Sequence, residues 1–380
     1  MRAPLLAAGL LLLCPAERTA RAVYTERLIQ VCIQSQARGL TVTPEGRFSL
    51  RDEATGTGYD LLPYKTYPVD AAAGGLLVGP YRFAGPARLA PLEPGATVLA
   101  GKSRYQGHLL IKPGARGTVL VVSELSVEDY LLGVLPREME PNWPLEALKA
   151  QAVVARTFAY YNLGKYKEDG FDLTSDTRSQ VYGGVANQSP SVRQAVTQTR
   201  GEVLGYQGAL LAAYYHACCG GHTADYTLVW GGAAPLPLRG VEDRFCTRTP
   251  LYRWKAFVPA AEVLAALPRG GKHSGRLEDF SLGRRDGAGY VRSFTVKVGG
   301  ESVSVSGEEF RKSVGPTRLR SLRLRSARLR RDGVWFEGTG SGHGVGLCQW
   351  GSRAQAEKGR SYETILRYYF PGATLSVVDE

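Results

Sequence analysis

Glu138, Glu140, Lys149 and Arg156 bring together two carboxylates and two cations in an arrangement suited to acid chemistry. Glu138 and Glu140 sit on a short stretch fenced by Pro136 and Pro141, and Lys149 and Arg156 follow. A carboxyl on a proline-bracketed turn is rigidly presented, and if it stays protonated it can hand its proton to a leaving oxygen. Met139 and Trp143 supply apolar side chains of the kind that raise a glutamate's pKa. Most glutamates are solvated surface groups, and the residues alone do not choose between the two. Lys149 and Arg156 lie seven positions apart, two helical turns, and so project from the same side. An acid beside a basic helix face suits an anionic substrate.

These groups need elements to hold them. Pro144 fits the first turn of a helix over 145–163, with Leu145, Leu148, Ala152, Ala155 and Ala159 as its inward stripe. Upstream, Ser126 and Asp129 form a capping box. It opens a short helix that buries Val127, Tyr130, Leu131, Val134 and Leu135 and stops at Pro136. Downstream lie a polar loop over 176–184, a helix over 191–199, and a hairpin made by 202–206 and 209–216.

The hairpin runs into a second group with chemical potential, His216, Cys218, Cys219 and His222, with Cys246 later. His216, Cys219, His222 and Cys246 can make a closed, structural zinc site, with Cys218 as a substitute ligand. A Cys219–Cys246 disulfide is the other reading, natural in an oxidising compartment. Cys348 reads as a buried thiol. Residues 338–346 carry glycine at every second position and lack the lysine of a nucleotide loop. That spacing suits a backbone passing close to another strand or a ligand, and a helix follows over 349–357.

The rest of the chain sets the context. Residues 1–22 read as an export signal: Arg2, an apolar run to Cys14 too short to span a bilayer as a helix, and Ala20-Arg21-Ala22 as cleavage site. Cleavage near Ala22 leaves 358 of 380 residues and five cysteines. Losing Arg2, Arg18, Arg21 and Glu17 takes the net charge from +12 to +10. No second long apolar run follows, so no transmembrane segment is expected in the mature chain. It belongs in the periplasm or cell-wall space. Export and the lack of any nucleic-acid-binding motif argue against nucleic acid as partner. Residues 23–106 read as an all-β module. A basic, β-rich insert spans about 255–336, with a helix over 260–267, a hairpin around Gly299-Gly300, and a strand in which arginines alternate with Leu319, Leu322 and Leu324.

From 107 to 380 the chain resembles the stage II sporulation protein D family (SpoIID/LytB type). The likeness rests on the string 138–161, on Gln180-x-Tyr182, on Trp230-Gly-Gly with 238–243, and on His343-Gly-Val-Gly with Gln349-Trp-Gly. The resemblance implies an α+β fold: a mixed α/β catalytic domain (107–380) with a central cleft and the β-rich insert. It implies lytic transglycosylase action on peptidoglycan glycan strands stripped of peptide, giving 1,6-anhydromuramic ends. It selects Glu138 as the acid, because the family's glutamate directly precedes a methionine and lies eleven residues before a lysine. Lys149, Arg156, Gln180, Tyr182, Arg239, His343, Gly344 and Gln349 fall on substrate-contacting positions, with Arg239 standing where lysine is usual. A metal near the groove occurs in some members. Two rival functions stay open: a non-catalytic glycan binder that enhances a cell-wall amidase, and a zinc-dependent hydrolase.

Overall fold

The computed structural model describes residues 28–185, 189–268 and 275–378, so the expected export segment lies outside the described residues. The protein is α+β, with several sheets and short helices between them.

The largest sheet has seven strands. In spatial order they are Leu173–Thr174, Ile29–Ala37, Val119–Leu125, His108–Pro113, Ala87–Pro91, Phe48–Asp52 and Gly58–Leu61. A six-stranded antiparallel sheet drawn from Leu40 to Tyr105 shares its apolar core. Alternation does the sorting, since Phe48, Leu50 and Asp52 point inward while Ser49 and Arg51 do not. Sheet and core run across the expected boundary at 106/107. Strand Ile29–Ala37 pairs with Val119–Leu125, in register from Ile29↔Leu125, and the same core takes in Tyr130, Leu131 and Val134 of the first helix. The N-terminal strands form the platform on which that helix stands.

Helix α1 (Val127–Glu138) starts at Ser126, whose side chain accepts from the Asp129 N–H. It runs two residues past the expected stop at Pro136. A proline in the last turn removes only one helical hydrogen bond, and the Met139 N–H still reaches the Leu135 carbonyl at 2.9 Å. Helix α2 (Leu145–Tyr161) is buried on almost every side, between α1, α3 (Pro190–Gln198) and the strand Glu202–Tyr206. The remaining helices are α4 (Thr227–Trp230), α5 (Ala260–Ala265), α6 (Gly307–Val314), α7 (Gln349–Ala356) and α8 (Tyr362–Tyr369).

Among the described residues the insert holds two three-stranded sheets, α5 and α6, and it closes around Phe280, Phe294, Phe310 and Phe336. The expected arginine-rich strand begins only at Leu324. Before it, the Leu319 and Arg320 carbonyls are taken by the buried Arg311 guanidinium instead of a strand ladder.

One long-range pairing builds the centre of the molecule. Tyr215–His216 runs parallel to Leu347–Cys348, and Cys218 bridges to Ser341. This lays the glycine-rich loop along the cysteine-bearing segment. At Gly340 (φ +84°) a Cβ would come 2.6 Å from the Cys218 carbonyl, so the approach requires glycine.

Candidate active site

Glu138 ends α1 and faces a cleft of about 760 Å³. The cleft is bounded by the loop at 177–181, strand Tyr215–His216, α4, the glycine-rich loop and α6 of the insert. Glu140 is exposed and does not line it. Burial pushes the Glu138 carboxyl above the usual glutamate range. Hydrogen bonding from the Val181 N–H and the Tyr215 hydroxyl pulls the other way, and burial prevails. The Val181 contact is 3.3 Å. The Tyr215 hydroxyl accepts from Gln180 Nε2 at 3.2 Å, which turns its own proton toward the carboxyl.

The apolar wall comes from Phe158, Tyr214 and Trp230, not from the neighbours in sequence. Met139 and Trp143 are buried in the core, where Trp143 packs on Trp350 with ring centres 4.9 Å apart. Trp230, 42% exposed, stacks on Tyr214 at 4.1 Å, and His343 meets its ring edge-on. His216 and His343 face each other across 5.7 Å, and burial holds their pKa values down to about 4 and about 3. Both rings are therefore neutral at ordinary pH. His343 Nδ1 accepts from the Val345 N–H, and His216 Nδ1 lies 3.1 Å from the Val345 carbonyl. His216 Nε2 is buried with no protein partner.

The insert contributes the opposite wall. Glu308 is buried there, raised by burial, with Arg311 at 3.7 Å and Lys312 at 3.8 Å. Lys165 and Arg178 add positive charge at the rim. None of these residues stood out in the sequence. The one available signal was Ser306-x-x-Glu309, a helix-start pattern that the structure uses.

The residues expected around Glu138 divide sharply. His343 lines the cleft, Gln349 adjoins the acid, and Gln180 acts through Tyr215. Gly344, at φ +85°, lies behind the wall, where any Cβ would collide with the Tyr290 hydroxyl. Tyr182 is buried against Tyr130 and Tyr105 and does not line the cleft. Arg239 is exposed and also outside it.

Lys149 and Arg156 need correction, because neither lines the cleft. Lys149 pairs with Glu146 at 2.7 Å, and Glu146 in turn accepts from the Tyr362 N–H, so the pair docks α2 against α8. Arg156 is completely buried. Its Nε and Nη2 grip both oxygens of Glu128 at 2.6 and 2.7 Å, and it also donates to the Glu202 and Val196 carbonyls. The shared helix face is real, but it turns toward protein.

The expected metal set also changes. His216 faces the cleft, and His222 Nδ1 engages the Thr223 carbonyl at 2.7 Å. Among the described residues the group whose ligand atoms do converge is Cys219, Asp243, Cys246 and Cys348, all within 4.8 Å of one another. Cys219 and Cys246 are free thiols with sulfurs 3.4 Å apart. Such a cluster can hold a metal. Cys348 belongs to it, which its isolated place in the sequence did not reveal.

Comparison with known proteins adds a lineage to this geometry. The family model described as SpoIID, Stage II sporulation protein, matches residues 115–206, which include Glu138, α2 and the loop at 177–181. An uncharacterized protein of Brachyspira hyodysenteriae is 37% identical over 272 residues, covering 71% of this chain and 72% of its own length. The amidase enhancer of Bacillus subtilis is 30% identical across 65% of this chain, which spans only 40% of that protein. Stage II sporulation protein D of the same organism is 26% identical over 316 residues, 76% of this chain and 88% of its own.

Proposed function

This chain belongs to the stage II sporulation protein D family, and on that premise we propose that it is an exported lytic transglycosylase acting on peptidoglycan glycan strands. The observation that carries the reading is Glu138. It is a carboxyl raised by burial, facing a cleft with an aromatic wall on one side and cations on the other.

Protonated Glu138 donates to the glycosidic oxygen, and the C1–O bond breaks as positive charge builds on the sugar. The muramic acid's own 6-hydroxyl then attacks C1, and the Glu138 carboxylate takes up its proton. The attack is intramolecular and gains from proximity, so one carboxyl serves both steps. Trp230 and Tyr214 offer faces for sugar C–H groups. Lys312 and Lys165, with Arg178 beside them on its Asp176 partner, suit the lactyl carboxylates bared when stem peptides are removed. A chain of net charge +10 after loss of its leader is drawn to such a polymer. The Tyr215 hydroxyl and the Val181 N–H hold the carboxyl in place.

The test is digestion of defined peptide-free glycan by wild type and Glu138→Gln, with products weighed. Wild type should release 1,6-anhydromuramic ends, and the variant should lose about 10²–10⁴-fold. Reducing ends that vanish in Glu308→Gln would instead mark a two-carboxylate hydrolase.

A second reading is favoured by the relative named amidase enhancer. Here the cleft binds glycan without cutting it and presents it to a cell-wall amidase. Glycan binding with no chain cleavage, together with faster peptide release by an added amidase, would establish that role.

A further inference from the structure

The insert presents a surface that the cleft does not use. One of its sheets is built from Arg253–Pro259, Gly333–Thr339 and Leu324–Arg330, with Gly333–Thr339 in the middle. Trp254, Val258, Val334 and Phe336 are buried on its inner side. Alternation sends the intervening residues to the outer face. There the strand pairing sets Phe257, Trp335 and Arg328 side by side in one row, and Lys255, Glu337 and Ser326 in the next. Trp335 is 46% exposed, and its ring centre lies 5.4 Å from that of Phe257.

The charge on this face is lopsided. Lys255 pairs with Glu337 at 3.0 Å and holds its carboxyl below the usual glutamate range, and the charges of Arg328 and Arg325 add to the effect. Arg253, Arg325, Arg328 and Arg330 are all exposed, and none has a carboxylate partner among the described residues. Like charges crowded around an exposed indole repel one another and add nothing to the stability of the insert.

We propose that this sheet face is a second binding site, separate from the cleft, for a carboxylate-bearing glycan strand. Trp335 and Phe257 stack on sugar rings, and Arg325, Arg328 and Arg330 take the carboxylates. The polymer is the one assigned to the cleft above, and the proposal rests on that reading for its ligand. None of these residues lines the cleft.

An aromatic pair on a flat sheet offers an apolar platform at little entropic cost. Guanidinium groups grip carboxylates through two parallel bonds. Arg328 and Arg330 stand roughly 7 Å apart along their strand, so carboxylates recurring along an extended polymer meet successive cations. An anionic membrane is a poorer match. Interfacial binding buries a broad apolar face among the headgroups, whereas here Phe257 is half-buried and Trp335 alone projects. A strand held on the sheet raises its effective concentration at the cleft. Long strands are therefore cut at lower KM than short oligosaccharides that cannot reach both sites.

The test uses the full-length chain carrying Glu138→Gln, so that nothing is cut during titration. The probes are long peptide-free glycan, neutral N-acetylglucosamine oligomers and vesicles of anionic phospholipid. Adding Trp335→Ala should weaken long-glycan binding about 10-fold. Adding Arg325→Ser, Arg328→Ser and Arg330→Ser together should weaken it as much, remove most of its salt dependence, and leave the neutral oligomers unaffected. With Glu138 restored, Trp335→Ala should raise KM for long strands by a similar factor and leave turnover of short oligosaccharides unchanged.

Long-glycan affinity unchanged in the arginine variant overturns the proposal, and those exposed positions decide the matter even where Trp335→Ala fails to fold. So does tighter binding of vesicles than of glycan through the same residues. Equal losses for neutral and carboxylated glycan overturn the assignment of the arginines to carboxylates. A wild type that binds but cuts no glycan counts against the cleft reading alone, because the sheet is read in a variant that does not cut.

Discussion

Replacing Arg156 distinguishes a substrate contact from a structural one. Its guanidinium has no exposed surface and makes charge-assisted bonds of 2.6 and 2.7 Å to Glu128. Arg156→Met keeps much of the volume but takes the guanidinium away from an almost buried carboxylate, to which the Gly201 N–H still donates at 3.2 Å. Breaking a buried pair from one side costs about 3–5 kcal/mol. With an unfolding entropy of about 2.1 cal/mol/K per residue over some 350 residues, 4 kcal/mol lowers Tm by roughly 5 °C. In Glu128→Leu/Arg156→Met no charge is stranded, and most of the loss should return. The assay is thermal unfolding by circular dichroism, paired with glycan binding measured well below the transition. We expect a clear drop in Tm, recovery in the double variant, and unchanged affinity in both. An Arg156→Met protein that melts like wild type but no longer binds glycan would refute the structural assignment.

Four further outcomes follow from the site. In the proposed mechanism Glu138 acts in its protonated form, so kcat/KM should fall as pH rises through its elevated pKa; a rate that climbs through neutrality would remove it as the donor. The same shift makes the folded state the tighter proton binder, so wild type loses stability as pH rises from the ordinary glutamate value through the raised one. Glu138→Gln should therefore be the more stable protein near neutrality and lose that advantage in acid, as parallel melts would show. Trp230→Ala removes an exposed stacking face worth about 1–2 kcal/mol. It should weaken glycan binding by roughly 5- to 30-fold at unchanged Tm, and unchanged affinity would place the sugar elsewhere. Gly344→Ala meets both a left-handed φ and the Tyr290 hydroxyl. It should cost at least ~1 kcal/mol in denaturant melts, whereas a neutral result would show that the loop can move.

Local pattern made much of this legible before any fold was known. The start of α2 at Leu145, the capped entry to α1, the 293–306 hairpin and the final helix all follow from caps, prolines and periodicity, which act within a few residues. The motif around Glu138 singled out that carboxyl over Glu140 for the same reason, since the family's signature is contiguous there, and Glu138 is the one that lines the cleft. Seven-residue spacing likewise put Lys149 and Arg156 on one helical face.

Which way that face turns depends on what α2 packs against, and only the tertiary structure decided it. Glu128, Thr199 and Glu202 close over Arg156 from three separate elements. The cleft wall, the insert's Glu308 and Arg311, and the convergence of Cys348 with Cys219 have the same origin. They arise from pairings between segments more than a hundred residues apart, such as His216 with Cys348. Sequence spacing encodes the direction in which a side chain leaves its own backbone. It carries no information about which distant backbone arrives to meet it.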